Sequence, residues 1–194
     1  MTQNLAHPVA IFIRGLPGSG KSFIAAELAR QLGTQTAVLL DPDATDYESD
    51  TYKHHVKTME AEGVEQKLHA YRFLRGQAYK AIENGKIIIW DQPFRNLEIF
   101  HKMIGRMHEH AEAVGTTVKV LVVELEIDLD TAKARVEKRK AHGGHGPSDT
   151  TFENFSAEHK SFDDQDFNIV KVKGKDDVGK SVEKIMKALL PLTV

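Results

Sequence analysis

The segment from residue 9 to residue 33 constrains the fold most, because an apolar run, a glycine-rich turn and an amphipathic run follow one another there. The run VAIFI (9–13) predicts a buried strand. The turn GLPGSGKS (15–22) has three glycines, which adopt backbone angles that side chains forbid. The run KSFIAAELARQLG (21–33) predicts a helix that ends at its glycine. This order predicts a loop whose backbone amides face an anion at the start of the helix.

The glycine-rich turn fits the pattern of a loop that binds nucleotide phosphates: Gly, four residues, Gly, Lys and Ser. Lys21 would reach the β- and γ-phosphates of ATP, and the Ser22 hydroxyl would bind Mg²⁺. The predicted nucleotide contacts in this segment are Gly15, Leu16, Pro17, Gly18, Ser19, Gly20, Lys21, Ser22 and Phe23.

The same pattern occurs a second time, as GKDDVGKS at 174–181. Asp176 and Asp177 would lie where an anionic triphosphate has to sit. Like charges about 4 Å apart repel by roughly 1 kcal/mol in water and about 4 kcal/mol at an effective dielectric constant of 20. We therefore interpret this match as a turn between a strand and a helix, with an Asp that caps the start of the helix.

Short apolar runs alternate with longer amphipathic runs along the chain. Continuous apolar strands are typical of a parallel sheet that helices cover on both faces. The predicted strands are 9–13, 36–41, 86–91, 118–127 and 167–174; the predicted helices are 21–33, 51–84 (one or two helices, broken near Gly63), 96–115, 128–143 and one after 174. The 194 residues suit a single domain, and we interpret 141–149 as a mobile loop within it.

Composition excludes several classes of function. The chain has no cysteine, which excludes disulfides, thiolate catalysis and cysteine-based zinc sites. Its net charge of −2 gives no overall attraction to nucleic acid or to a membrane surface. The apolar runs are too short to span a bilayer, and the first fifteen residues lack the features of a secretory signal. We therefore expect a cytoplasmic protein with no membrane partner.

Carboxylates follow the second and third predicted strands, at the sheet edge where ligands bind in parallel α/β folds. In LLDPDATD, Asp43 is the first candidate for a base that takes the proton of an acceptor hydroxyl, and Asp41 is the second; the alternative is a turn or a helix cap. In IIIWDQPFRN, Asp91 would hold Mg²⁺ directly or through water. Gln92 and Arg95 lie just beyond and could contact the substrate.

A basic stretch, KARVEKRKAHGGHG (133–146), places four basic side chains on one face of a predicted helix. A helix of this kind leading into a glycine-rich loop fits a lid over ATP. Arg135 and Arg139 are the candidates for stabilising the transferred phosphate; the alternative is a solvated charged face. Arg72 and Arg75 could face an acceptor pocket, although solvated helix faces are commoner.

Together GLPGSGKS, LLDPDATD, IIIWDQPFRN and RVEKRK resemble the small P-loop kinases, notably the zeta-toxin and polynucleotide-kinase-like group, with a layout similar to gluconate and adenylylsulfate kinases. The resemblance implies a three-layer αβα P-loop NTPase fold with a parallel five-stranded sheet of order 2-3-1-4-5. It also implies a helical lid at about 135–160 and ATP with Mg²⁺ as the phosphate donor. In such kinases the loop after the last strand borders adenine, which maps onto Gly174 and Lys175.

Two departures from the family patterns concern the acceptor. The polynucleotide-kinase pattern has an Arg soon after its Asp, whereas Tyr47 and acidic residues follow here. The lid sequence GGHGPSD differs from the basic lids of adenylate kinases. Both departures favour a small-molecule hydroxyl over a nucleic-acid end or a nucleoside monophosphate. An ATPase or nucleotide switch without an acceptor, and a nucleic-acid 5′-kinase, stay open as alternatives; an AAA-type motor is disfavoured because the chain has no room for its extra helical domain.

Overall fold

A computed structural model describes residues 7–163 and 165–193; residues 1–6, 164 and 194, which the single-domain prediction also covers, lie outside the described residues. Within the described part, one sheet contains β1 (Val9–Gly15), β2 (Ala37–Leu40), β3 (Ile87–Asp91), β4 (Lys119–Glu126) and β5 (Asn168–Lys173). The strand order is β2-β3-β1-β4-β5 and every neighbouring pair is parallel. The predicted fold class and strand order are confirmed.

Helices connect the strands and cover both faces of the sheet. They are α1 (Lys21–Leu32), α2 (Asp50–Ala61), α3 (His69–Glu83), α4 (Leu97–Ala113), α5 (Leu129–Ala141), α6 (Asp149–Glu158) and α7 (Val178–Leu189), with short 3₁₀ turns at Gln66–Leu68 and Leu190–Leu192. In the described part of the chain, no helix is both long enough and apolar enough to cross a bilayer.

Alternate residues of the central strands pack into two separate cores. Phe12 and Trp90 point into the core formed with α3 and α4, whereas Ile11 and Ile89 point into the core formed with α1 and α7. All residues of β1 and β3 are buried. Because both faces of these strands are covered, their sequences are continuous apolar runs with a polar residue only near the carboxyl end.

The structure differs from the predicted elements mainly between α5 and β5. Residues 142–148 form a connection without helix or strand, inside the loop predicted at 141–149, but helix α6, which begins at Asp149, was not predicted. Ser148 caps this helix by accepting a hydrogen bond from the backbone N–H of Thr151, and Phe152 is buried against Ala132 and Val136. The region predicted as a helical lid, 135–160, thus contains most of α5 and all of α6 with a short connection between them. The predicted break near Gly63 is confirmed, because Gly63 has a φ of 70° between α2 and the turn before α3.

Candidate functional site

The glycine-rich loop connects the buried end of β1 to the first turn of α1 and packs directly against α5. Gly18 has a φ of +82°, and a Cβ atom there would lie 2.3 Å from the carbonyl oxygen of Ala132. Both the backbone angle and the lack of space require glycine at this position. The loop is therefore held between the sheet and the start of the lid.

Lys21, Ser22 and Asp91 meet where the loop passes the end of β3. The Ser22 hydroxyl donates a 2.6 Å hydrogen bond to Oδ2 of Asp91, and Lys21 Nζ donates a 3.1 Å bond to the carbonyl oxygen of Leu16. Burial raises the pKa of Asp91, although the Ser22 hydrogen bond and the charge of Lys21 oppose this shift. Burial lowers the pKa of Lys21, with Asp91 opposing and Arg139 adding to the shift.

The buried carboxylate of Asp91 fits a metal ligand. Asp91 is 5% exposed, and its Oδ1 atom has no hydrogen-bond partner within the described structure. Buried polar atoms are nearly always paired, so an unpaired carboxylate oxygen beside a serine hydroxyl has room for an additional partner. Mg²⁺ binds oxygen ligands of this kind, so Ser22 and Asp91 fit the ion that the sequence predicted for them.

A cleft of about 1420 Å³ opens above the loop at the carboxyl edge of the sheet. It brings together residues that are far apart in the sequence: the loop, the segment after β2, the end of β3, the lid helix α5 and the segment after β5. Among the predicted site residues, its wall contains Pro17, Gly18, Ser19, Gly20, Lys21, Ser22, Phe23, Asp41, Asp43, Asp91, Gln92, Arg135, Arg139, Gly174 and Lys175. Gly15 and Leu16, the first two residues of the loop, are buried and are not part of the described cleft wall.

The two arginines predicted for the transferred phosphate lie in different surroundings. Arg135 donates hydrogen bonds of 3.3 Å to the carbonyl oxygen of Gly18 and 2.8 Å to that of Gly174. It therefore links the loop to the end of β5, and these two carbonyl groups occupy its guanidinium group. Arg139 lies one helical turn further along in the cleft wall, close enough to lower the pKa of Lys21 by its charge. Arg139 is the better placed of the two to meet a phosphate.

Three predicted substrate contacts lie outside the described cleft wall. The Arg75 guanidinium lies 5.6 Å from the ring centre of Tyr71, and neither Arg75 nor Arg72 is part of the described cleft wall. Arg95 forms a 2.8 Å ion pair with Glu158 and lies 4.0 Å above the ring of Phe155. Arg95 therefore attaches the segment after β3 to α6, while Phe155 itself lines the cleft.

The second match to the loop pattern is a helix start, as predicted. The Asp177 side chain accepts a 3.2 Å hydrogen bond from the backbone N–H of Lys180 at the start of α7. Lys175 forms a 2.6 Å ion pair with Asp128 at the start of α5. Gly174 approaches the loop so closely that a Cβ atom would lie 2.5 Å from the carbonyl oxygen of Ser19. The segment after β5 thus forms a wall of the cleft.

A buried ion pair next to the loop was missed by the sequence reasoning. Arg14, which directly precedes the loop, pairs with Glu124 of β4, and both side chains are almost fully buried. Arg14 also donates a 2.8 Å hydrogen bond to the carbonyl oxygen of Lys160 and lies 3.7 Å above the ring of Phe162. The sequence signal that could have indicated this pair is a charged residue inside each of two apolar runs. The pair fixes the segment that returns from α6 to the sheet.

Comparison with known proteins places this arrangement among nucleotide-binding domains. Residues 11–164 match the profile of AAA_33, a family described as an AAA domain. The search of curated proteins found no significant match. In the described part of the chain, β5 is followed by α7 and a terminal 3₁₀ turn.

Several solved structures have the same fold. A gluconokinase from Sinorhizobium meliloti 1021 has a TM-score of 0.58 and 14% identity over 96% of this chain and 94% of that one. A sugar kinase from Janibacter sp. HTCC2649 has a TM-score of 0.56 and 16% identity over 96% and 95%. Kti12 from Chaetomium thermophilum, in complex with ADP-AlF3, has a TM-score of 0.61 and 15% identity over 95% and 99%. At these identities the similarity shows the fold.

Proposed function

Since this chain belongs to the AAA_33 family of AAA domains, we propose that it is an ATP-dependent kinase that transfers the γ-phosphate to a hydroxyl group of a small molecule. One observation carries this proposal: the carboxylates of Asp41 and Asp43 line the same cleft as the phosphate-binding loop. A proton acceptor beside the phosphate donor is what an acceptor hydroxyl requires. The gluconokinase and sugar kinase with this fold support the same reaction class.

The residues of the cleft would divide the work of phosphoryl transfer. The backbone amides of the loop and Lys21 would hold the phosphates of ATP, and Arg139 would offset the negative charge on the transferred group. Arg135 would act through the loop, because its guanidinium is bound to the carbonyl groups of Gly18 and Gly174. Ser22 and Asp91 would hold Mg²⁺, which supplies charge neutralisation on the phosphates when bound.

Asp43 is our candidate for the base. Its backbone N–H donates a 2.8 Å hydrogen bond to Oδ1 of Asp41, which fixes the turn after β2. The Asp43 side chain lines the cleft and is exposed, so it is available to a substrate hydroxyl. The grouping with the zeta-toxin and polynucleotide-kinase-like enzymes is also our proposal and rests on the four motifs.

ATP turnover with and without pooled acceptors tests the proposal. Phosphorus-31 NMR would follow ADP and the new phosphate ester in the presence of sugars, nucleosides and amino sugars. We expect acceptors to stimulate turnover and Asp43→Asn to lower kcat by about 10²- to 10⁴-fold, because general base catalysis contributes that much. The nucleotide affinity of Asp43→Asn should stay unchanged, whereas Lys21→Ala should lose it.

The alternatives give different results in the same assay. Turnover that no acceptor stimulates would favour an ATPase or nucleotide switch. Activity on an oligonucleotide end that falls steeply with salt would favour a nucleic-acid 5′-kinase. Undiminished activity in Asp43→Asn combined with a loss in Asp41→Asn would move the base to Asp41.

A further inference from the structure

A second cavity of about 480 Å³ adjoins the cleft, and the two share Asp41 and Ala44 in their walls. The turn after β2 forms one side of this cavity, and α3 forms the other with Phe73 and Leu74. Its volume lies in the range of small-molecule sites. A molecule in this cavity would contact Asp41, which also lines the cleft above the phosphate loop.

The described wall of the cavity carries negative charge only, whereas the wall of the cleft carries charges of both signs. The charged side chains in the described wall of the cavity are Asp41 and Asp46, and no Lys, Arg or His belongs to the described part of that wall. The cations of the neighbouring cleft come from the loop, from α5 and from the segment around the end of β5, and the same wall also contains Asp43, Asp91 and Asp176. Within the described walls, the cations of this region therefore lie in the cleft and not in the second cavity.

The polar groups of the cavity wall are suited to hydrogen-bond donors. Oδ1 of Asp41 and Oδ1 of Asp46 accept backbone hydrogen bonds of 2.8 and 2.9 Å, which leaves the second oxygen of each carboxylate for a ligand. The other polar side chains of the wall are the neutral Thr45, Ser49, Thr51 and Gln77. Hydroxyl and ammonium groups would find acceptors here, whereas a carboxylate or phosphate would meet like charge without a compensating cation.

We propose that this cavity, the acceptor pocket, selects a neutral or amine-bearing polyhydroxylated molecule over one that carries a carboxylate or a phosphate. The inference rests on the proposed kinase function and names the substrate class of that site. It separates this chain from an enzyme for a sugar acid, because the described wall provides no cation for an acid group.

Related acceptors that carry different charges test the acceptor pocket. The probes are glucose, glucosamine, gluconate and glucose 6-phosphate, together with adenosine and adenosine 5′-monophosphate. Phosphate-ester formation from ATP and direct binding by saturation-transfer NMR would be measured for each. We expect kcat/KM and affinity to be at least about tenfold higher for the neutral and amine-bearing members, since one unfavourable charge contact of about 1.4 kcal/mol is worth tenfold.

A charge reversal at the pocket wall locates the effect. Asp46→Lys should reduce the preference against gluconate by about tenfold, because it places a cation in the wall. Glu48→Lys is the matched control: Glu48 is exposed and pairs with Lys53, outside the described wall of the pocket. It should leave the preference within about twofold, and the KM for ATP should be unchanged in both variants.

The outcomes separate this inference from the kinase proposal. The proposed selectivity of the acceptor pocket would be wrong if gluconate or the phosphorylated probes bound or reacted as well as the neutral ones. It would also be wrong if Asp46→Lys left the preference unchanged. Neither result would contradict the proposed kinase function. ATP turnover that none of the probes stimulates, with none of them binding, would count against both.

Discussion

Asp91 has two carboxylate oxygens in different situations, and this asymmetry is the clearest chemical feature at the scale of single residues. One oxygen accepts the hydrogen bond of Ser22, and the other is buried without a partner in the described structure. A buried acceptor that is left unpaired costs roughly 1–3 kcal/mol. A cation or its bound water would remove this cost, so metal binding and the local stability of the site are coupled.

Asp91→Asn should raise the Mg²⁺ concentration needed for half-maximal ATP turnover by about 10- to 100-fold, which is the usual effect of losing a metal-supporting carboxylate. The measurement is a Mg²⁺ titration at fixed ATP, repeated by calorimetry of nucleotide binding with and without the metal. Asp130→Asn, in the exposed first turn of α5, is the control. An unchanged Mg²⁺ requirement in Asp91→Asn would remove Asp91 from the metal site.

His159 should make the stability of the fold depend on pH. Burial, together with the charges of Arg14 and Lys21, lowers the pKa of His159 to about 4. The unfolded chain takes up this proton near pH 6.5, whereas the folded protein does so only near pH 4. Because the unfolded state binds more protons between these values, the free energy of unfolding falls as the pH drops from about 6.5 to 4.

Urea unfolding of the wild type and of His159→Gln at pH 7.5, 6, 5 and 4.5 measures this effect. Between pH 7.5 and pH 4.5 the free energy of unfolding should fall further for the wild type than for the variant. Above about pH 7.5 the free energies of unfolding of the two proteins should change in parallel. Parallel curves for the two proteins would show that His159 titrates normally.

At the scale of elements, the same eight-residue pattern occurs in two structural settings. In the first, the lysine and serine face a cleft next to a buried carboxylate. In the second, the pattern forms a turn and the first residues of α7, and Asp177 caps that helix. Whether such a pattern of glycines and a lysine can bind phosphate therefore depends on the charges around it. Those charges can be read from the sequence.

Lys180→Ala, the lysine of the second pattern, should leave ATP affinity unchanged. Asp177→Ala should lower the free energy of unfolding by about 1 kcal/mol, because it removes a helix cap, and should also leave ATP affinity unchanged. Fluorescent-nucleotide titration and urea unfolding would measure the two quantities, with Lys21→Ala as the positive control. Loss of nucleotide binding in Lys180→Ala would restore the second pattern as a phosphate site.

Individual elements show how far the sequence predicts this fold. The strands and most helices were predicted to within about two residues, because their apolar periodicity is strong. Helix α6 was missed because Phe152 is its only described buried residue, so it carries no clear period. The pairing of Arg14 with Glu124 was inaccessible, because it depends on the register that aligns β1 with β4 across 110 positions of sequence.

At the scale of the whole molecule, the buried pair of Arg14 and Glu124 joins three parts of the fold. The two residues are direct neighbours in the register of β1 and β4. Glu124 also accepts a 3.1 Å hydrogen bond from the hydroxyl of Ser161, and Arg14 holds the carbonyl group of Lys160. The sheet, the phosphate loop and the segment after α6 thus share one buried polar centre.

Arg14→Met should lower the free energy of unfolding by about 3–5 kcal/mol, because it leaves Glu124 buried without its partner. The double variant Arg14→Met with Glu124→Leu should recover part of this loss, since it removes both charges. Arg30→Met, which breaks the exposed pair with Glu27, should cost less than about 1 kcal/mol. Urea unfolding measures all three, and a double variant no more stable than Arg14→Met alone would contradict this explanation.

The contacts at the two ends of the α5–α6 region also determine where the chain can accept insertions. Helix α5 begins against Gly18, and the segment after α6 ends at Arg14, so both ends of the lid are fixed beside the phosphate loop. Doubling the length of a loop between fixed ends costs only about 0.6 kcal/mol in closure entropy. We therefore expect the stretch between α5 and α6 to tolerate insertions, which would change what covers the cleft without changing the sheet or the phosphate loop.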